Sequence, residues 1–352
     1  MKITEAIAVA AEQSNLSESD AREVMEEIMS GQTTDAQIAG LITALRVKGE
    51  TEEEITGFAR AIRFGAAKVD LKSSGLVDTC GTGGDQSYTF NISTAAAFVV
   101  SACGVPVAKH GNRSVSSKCG SADVLEELGV NLDLKPDSAA GAIEEAGIAF
   151  LFAPVFHAAM KHAVKARKEI GIRTIFNLLG PLVNPAGAAY QLLGVYNPTL
   201  TVTLGMVLLR LGIKRALVVH GAGRLDEIST LGVTRVTEVI DGQVKTYEIN
   251  PYMFGLPVPR PEELQGGGME KNAALILSVL KGVPGAARDI VVLNSAAALY
   301  AAGRAESIEA GLQPACEAID SGEALHRLEL LKRYTNANSR REAGAASISA
   351  SA

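Results

Sequence analysis

Four clusters in this 352-residue chain combine residue types that could do chemistry. The first is Gly81-Thr82-Gly83-Gly84-Asp85, followed by Thr89-Phe90-Asn91-Ile92-Ser93-Thr94. Glycines leave no Cβ to hold a ligand away and let backbone N–H groups turn inward, and an Asn/Ser/Thr run that opens a helix adds further donors. This is the layout of a phosphate cradle. It is neither common nucleotide loop: the dinucleotide fingerprint needs glycine where Gln86 stands, and the Gly-Lys-Ser/Thr of the P-loop occurs nowhere.

The second cluster runs from Lys109 through His110, Asn112, Arg113, Ser114, Ser117 and Ser121 to Asp123, with three cations and four serines around two glycines. Alone it reads more readily as a solvated polar loop. Placed one βαβ step after the first cradle, it predicts a ligand carrying more than one phosphate. The third cluster holds the adjacent carboxylates Asp226 and Glu227, which repel each other unless solvent or a divalent cation intervenes. Hard oxygen ligands suit Mg²⁺ shared with substrate phosphates. In the fourth, His157 and Lys161 are spaced for one helical face and Arg167 lies further along. Arg167 suits a bidentate hold on a carboxylate, whereas His157 suits either a general base or a packed histidine.

These clusters need a scaffold that brings loop ends together. Apolar or β-branched runs at Leu76 to Thr79, Val105 to Ala108, Ala149 to Phe152, Gln191 to Val195, Ala216 to His220 and Ile290 to Leu293 predict strands separated by Ala- or Leu-rich helices. Such alternation predicts an α/β fold with a mainly parallel sheet, helices on both faces, and ligands outside the carboxyl ends of the strands. Residues 3 to about 67 read instead as consecutive amphipathic helices capped by Ser17, Thr34 and Thr51, with Glu54 completing a capping box. The boundaries that follow are a helical domain over 1–70, an α/β domain over 75–335, and a frayed Ala- and Ser-rich tail over 336–352.

Composition narrows the partner. The net charge of −6 is spread along the chain without a basic block, which argues against nucleic acid and membrane surfaces and for small-molecule substrates. The apolar stretch Ala95 to Ala108 is too short to span a bilayer and is broken by Ser101 and Gly104. Four cysteines without C-x-x-C spacing and an acidic N-terminus predict reduced thiols and a cytoplasmic setting.

Taken in order, these motifs, with Arg173-Thr174-Ile175-Phe176-Asn177-Leu178-Leu179-Gly180-Pro181-Leu182-Val183-Asn184-Pro185, resemble the anthranilate phosphoribosyltransferases over nearly the whole chain. The resemblance implies transfer of the phosphoribosyl group of 5-phosphoribosyl 1-pyrophosphate to the amine of anthranilate in L-tryptophan biosynthesis. It implies a small all-helical domain, joined by helices near 167–190 and hinged to the α/β domain, and a homodimer. It places phosphoribosyl pyrophosphate on Gly81, Gly84, Asp85, Thr89, Asn91, Ile92, Ser93, Thr94, Lys109, Ser117 and Ser121. Two Mg²⁺ ions per subunit would use Ser93, Asp226 and Glu227, and anthranilate would meet Gly81, Asn112, Arg167, His110 and His157. Arg167, Lys109 and His110 would carry the catalysis. Gln86, Ala158 and Arg224 depart from the family pattern, Gln86 and Arg224 at positions where glycine or a small residue is usual and Ala158 where proline is. A pyrimidine nucleoside phosphorylase and a non-catalytic, nucleic-acid-binding relative are the alternatives on the same architecture.

Overall fold

The computed structural model describes residues 1–71, 75–114 and 118–349, with side chains to residue 340. Four helices open the chain: α1 (Ile3–Ala11), α2 (Glu18–Met29), α3 (Asp35–Lys48) and α4 (Glu52–Gly65). The caps follow the sequence signals. Ser17 Oγ accepts from Asp20 N at 3.1 Å, and Thr34 and Thr51 close capping boxes with Gln37 and Glu54.

Glu54 does more than cap. Its fully buried carboxylate accepts from Leu16 N at 3.0 Å, Thr51 N at 2.9 Å and Lys48 Nζ at 3.0 Å, so it joins the loop before α2 to the α3–α4 connection. Among the described residues, Glu54→Ala would leave the buried Lys48 ammonium with the neutral acceptors Asn15 Oδ1 and Gly49 O. The expected loss is about 3–5 kcal/mol of stability in urea unfolding. An unchanged midpoint would show that the network contributes nothing.

The rest of the chain adds β1 (Val77–Gly81), α5 (Ile92–Ala102), β2 (Val107–Gly111), α6 (Ser121–Glu127), α7 (Pro136–Ala146), β3 (Ile148–Phe152), α8 (Ala153–Phe156), α9 (Lys161–Ile170) and α10 (Phe176–Leu179). After these come β4 (Tyr190–Gly194), α11 (Leu200–Arg210), β5 (Arg215–Gly221), β6 (Thr234–Ile240), β7 (Gln243–Ile249), α12 (Met269–Leu280), α13 (Ala286–Ala301), α14 (Ile308–Asp320) and α15 (Glu323–Ser349). The strands form one sheet in the order β3-β2-β1-β4-β5-β6-β7, parallel from β3 to β5 and antiparallel from β5 through β7. The chain leaves β1 toward β2 and β3, then returns to β4 on the other side. That reversal opens a crevice outside the carboxyl ends of β1 and β4.

Alternation along the strands divides the sheet between two cores. Leu192, Leu217 and Val219 face a core with α5, α13, α14 and α15, whereas Leu193, Ala216 and Val218 face one with α11. The second core is continuous with the interior of α1–α4, and Ala163, Ala166, Ile175 and Phe176 of the α9–α10 segment belong to it. The helical module is therefore packed onto one sheet face, and α9 and α10 join it.

Two expectations need correction, and one element was not anticipated. Ile290 to Leu293 is not a strand but part of α13, whose residues from Ile290 to Leu299 are all buried. A helix apolar on every side shows no 3.6-residue period, so a short apolar run within it reads as a buried strand. The β6–β7 hairpin went unrecognised, although Asp241-Gly242 supplies the positive φ values, 51° and 77°, that a tight hairpin turn requires. The tail is helical to Ser349 rather than frayed from Asn336, as its many alanines, the strongest helix formers, allow.

Candidate active site

The crevice at the β1–β4 reversal is where the sequence clusters meet. Gly81 and Gly194 are partners at the ends of β1 and β4; a Cβ on Gly81 would displace the Asp226 carboxylate, and one on Gly194 is excluded by the Asp226 backbone. Asp226 thus lies directly over the reversal. Its Oδ2 accepts from Gly83 N at 2.8 Å, tying the acidic pair to the glycine loop. Glu227 Oε1 accepts from Ser93 N at 3.0 Å, at the N-terminus of α5 where an anion is favoured. A carboxylate of the protein thereby holds an N–H of the predicted phosphate cradle.

Lys109, on β2, is buried beneath this site. Its ammonium donates to Ser93 Oγ at 3.2 Å and to Thr79 O. Burial lowers its pKa, and the buried Asp78 carboxylate opposes that. Asp78 is itself raised to about 6 by burial, and accepts from Asn184 Nδ2 at 2.8 Å and from His110 N at 3.2 Å. Burial followed by the charge of Asp85 pushes Asp226 up to about 7, and burial followed by Asp226 raises Glu227 well above the carboxylate range. The adjacent Asp226 and Glu227 carboxylates, crowded beside Lys109, are the donor chemistry of a hard divalent cation. Among the described residues, no three His, Cys, Asp or Glu side chains are arranged to enclose a metal by themselves. The set fits Mg²⁺ that shares carboxylates with substrate phosphates and water.

The rest of the cradle is built by loops pinned to each other. Asn91 donates to Cys119 O at 3.2 Å and accepts from Asn272 Nδ2 at 2.9 Å, linking both anion loops to α12. Asp123 holds the second loop at both ends through Ser114 N at 3.0 Å and Gly120 N at 2.8 Å, while Ser121 Oγ reaches Asn112 O at 3.4 Å. Asp85 accepts from Ser87, whose Oγ lies 3.3 Å from Thr89 Oγ1. Thr94 Oγ1 is buried without a hydrogen-bond partner among the described residues, and the Ile92 side chain faces the core, leaving only its main chain for a ligand. Ser117 lies outside the described residues.

A second set gathers beside the end of β2. His110 Nδ1 lies 3.1 Å from Gly180 O, and the His110 and His157 rings meet edge to face at 5.0 Å. Burial depresses His110 to about 3 and His157 to about 4, so both are neutral at physiological pH. Among the described residues, His110 Nε2 and both ring nitrogens of His157 lack a partner with hydrogen-bond geometry, although the Val183 backbone is close enough to favour protonation of His157. So depressed a pKa makes His157 a weak base at pH 7, and its place is that of a packed, neutral imidazole. Arg167 is half-buried over the Phe176 ring at 4.9 Å, and among the described residues no carboxylate pairs with it. Burial lowers its pKa, so an incoming anion would meet a poorly solvated cation.

Sequence reasoning missed three contributors. Gly194 carried no local signal. Gln265 pairs with Thr89, and Gly266 N donates to Tyr88 O at 2.8 Å, so residues 264–267 back the first loop; the run Gly266-Gly267-Gly268 was the clue. Asn272, only 2% exposed, holds both Asn91 and Gly267 N.

Two of the departures from the family pattern sit in left-handed backbone, Gln86 at φ 61° and Arg224 at φ 66°. That conformation costs an L-residue about 1–2 kcal/mol, against about 0.5–1 kcal/mol for the extra unfolded-state entropy of glycine. Gln86→Gly and Arg224→Gly are each expected to raise stability in chemical denaturation by roughly 0.5–1 kcal/mol. A loss at either position would mean that the native side chain makes a compensating contact.

Comparison with known proteins agrees with this architecture. Residues 4–64 match the helical bundle domain of a glycosyl transferase family, and residues 73–325 match its a/b domain. The anthranilate phosphoribosyltransferase of Acetivibrio thermocellus is 55% identical over 334 residues, 95% of this chain and 97% of the relative. That of Syntrophobacter fumaroxidans is also 55% identical, over 92% of this chain and 96% of the relative. Among solved structures, the Thermus thermophilus enzyme superposes with a TM-score of 0.89 at 46% identity, covering 94% of this chain and 99% of that one. The Saccharomyces cerevisiae enzyme in complex with PRPP and Mg superposes with a TM-score of 0.88 at 29% identity, covering 95% and 98%. With such identity along nearly its full length, and with both domains matched in order, the chain belongs to the anthranilate phosphoribosyltransferase family.

Proposed function

We propose that this protein transfers the phosphoribosyl group of phosphoribosyl pyrophosphate to the amine of anthranilate, releasing pyrophosphate. The observation that carries the reading is the meeting, at one sheet reversal, of a glycine cradle, a buried lysine and an acidic pair, with the Arg167 guanidinium, which pairs with no carboxylate among the described residues, on the neighbouring α9 segment. Gly81, Gly84, Asp85, Thr89, Asn91, Ser93, Thr94, Ser121 and the main chain of Ile92 would hold the phosphates and ribose. Ser117 is proposed on the resemblance alone. Ser93, Asp226 and Glu227 would hold two Mg²⁺ ions, which would supply charge neutralisation of the departing pyrophosphate.

Lys109 stabilises the same developing charge from below, in a site dry enough for that interaction to count. Arg167 holds the anthranilate carboxylate and Asn112 and the neutral His110 and His157 line its approach, so that the amine faces the ribose carbon from which pyrophosphate leaves. The attacking amine needs no enzyme nucleophile. Orientation of this kind can lower a barrier by roughly 7–11 kcal/mol.

The reading extends to a cytoplasmic homodimer. An apolar groove between α1 and α3, with Ile7, Ala10, Ala39, Ala44 and the largely exposed Val47, supports contact between copies. Among the described residues the four cysteines form no disulfide, and no helix is long and apolar enough to cross a membrane. The test is loss of anthranilate fluorescence with phosphoribosyl pyrophosphate and Mg²⁺, repeated with EDTA. Metal-dependent consumption is expected. Folded protein that leaves anthranilate untouched but cleaves thymidine or uridine with phosphate would overturn the reading.

A further inference from the structure

The connection between α9 and α10 carries a cation for which the proposed reaction has no use. Arg173 donates from Nη1 to Gly84 O and from Nη2 to Gly83 O, both at 2.7 Å, and its guanidinium carbon lies 3.6 Å from the centre of the Tyr196 ring. A Cβ on Gly84 would overlap Nη1, so the glycine loop and the guanidinium are shaped to each other. No carboxylate pairs with Arg173 among the described residues, and its Nε is buried without a partner. The cation is committed to two backbone carbonyls.

Those carbonyls belong to two successive left-handed glycines, Gly83 at φ 65° and Gly84 at φ 67°. Glycine tolerates that conformation but does not enforce it, because it populates other backbone regions as readily. The enforcement comes from outside the loop. Asp226 takes the Gly83 N–H, Tyr196 N donates to Thr82 Oγ1 at 3.2 Å, and Arg173 takes the carbonyls of Gly83 and Gly84. Gly84 and Asp85 present their N–H groups to a phosphate only while those carbonyls are turned away from it.

Arg173 also links two places. It follows Arg167 by six residues and precedes Phe176, on which Arg167 stacks, by three. Ala166, Ile175 and Phe176 around it are buried in the core shared with α1–α4. A displacement of this segment when a carboxylate docks on Arg167 would thus reach the cradle through one guanidinium.

Resting on the function proposed above, we propose that Arg173 is a positioning residue that couples the two substrate sites, its grip on the Gly83 and Gly84 carbonyls making anthranilate and the pyrophosphate moiety bind more tightly together than apart. Such coupling is reciprocal, and factors of about 5–150 are usual for it. Arg173 touches neither reacting atom.

The test uses the full chain and a mixture that cannot react. Anthranilate fluorescence is titrated with Mg²⁺ present, with and without inorganic pyrophosphate, in the unmodified protein and in Arg173→Gln. Pyrophosphate is expected to tighten anthranilate at least about fivefold in the former and less than about twofold in the latter. Affinity for anthranilate alone should change less than about threefold, since Arg167 is untouched. In the substrate-free variant, amide hydrogen exchange in the peptide spanning Thr82 to Tyr88 should quicken about tenfold or more, a readout independent of any reaction. Arg173→Lys, which keeps the charge but not the fork, should lose most of the coupling and serves as the second variant if Arg173→Gln fails to fold. Coupling retained in both variants would overturn the proposal, as would its absence in the unmodified protein. Weakened pyrophosphate binding with the coupling factor intact would overturn it too, by making Arg173 a direct phosphate ligand. Protein that neither binds nor consumes anthranilate would instead remove the functional reading on which the proposal rests.

Discussion

Asp226→Asn combined with Glu227→Gln is expected to abolish Mg²⁺-dependent turnover, by about 10³-fold or more in kcat, while leaving a folded and slightly stabilised protein. The first half follows from the charge that must be neutralised: several kcal/mol of transition-state stabilisation would leave with the divalent cations, and about 4 kcal/mol is a thousandfold. The second half follows from the crowding of the acids. Asp226 is raised to about 7, first by burial and then by Asp85, so its ionisation opposes folding. An acid whose folded pKa exceeds its unfolded value binds more protons folded than unfolded, and stability falls as pH rises between the two. Neutral isosteres remove that cost and keep an acceptor for Gly83 N. In EDTA the double variant should therefore melt above the unmodified protein at pH 8, with a smaller gain at pH 5. Unchanged metal dependence would take these residues out of the metal site. A variant that unfolds would show that the acidic pair is structural.

Contiguity decides how much of this site is legible in the sequence. The strand–turn–helix that carries the proposed cradle was legible because its parts are consecutive: glycines that end β1, then Asn91, Ser93 and Thr94 opening α5, state the local geometry. The capping boxes at Thr34 and Thr51 were legible for the same reason. Gly194 was not, because what forbids a side chain there is the backbone of Asp226, which reaches it across the reversal only after the sheet has formed. Arg173 stood in plain view within a recognised motif, yet its role depends on Gly83 and Gly84, about 90 residues earlier in the chain. The apolar run at Ile290 misled because burial on all sides erases the period that separates helix from strand. Local geometry can be read from spacing, whereas steric exclusion by a distant segment cannot.

Arg167→Ala is expected to raise KM for anthranilate by about 10²-fold or more, with KM for phosphoribosyl pyrophosphate changed less than about threefold. Two charge-assisted hydrogen bonds to a carboxylate, at about 1.5–3 kcal/mol each, set that scale. The guanidinium is held ready at a cost, since burial lowers its pKa and no protein carboxylate repays that among the described residues. What Arg167 does contact is the Phe176 ring, an interaction worth about 0.5–2 kcal/mol, so the variant should fold with only a modest loss of stability. Arg167→Lys separates charge from shape: the ammonium keeps the attraction but cannot present two parallel donors or lie flat on the ring. It should fall between the two in KM for anthranilate, with a larger drop in kcat than in affinity if the fork is what aims the amine. Equal effects of Arg167→Ala on both substrates would mean that Arg167 supports the whole site rather than the carboxylate. A pronounced rise for phosphoribosyl pyrophosphate alone would move it to the phosphate side and overturn the assigned hold on the anthranilate carboxylate.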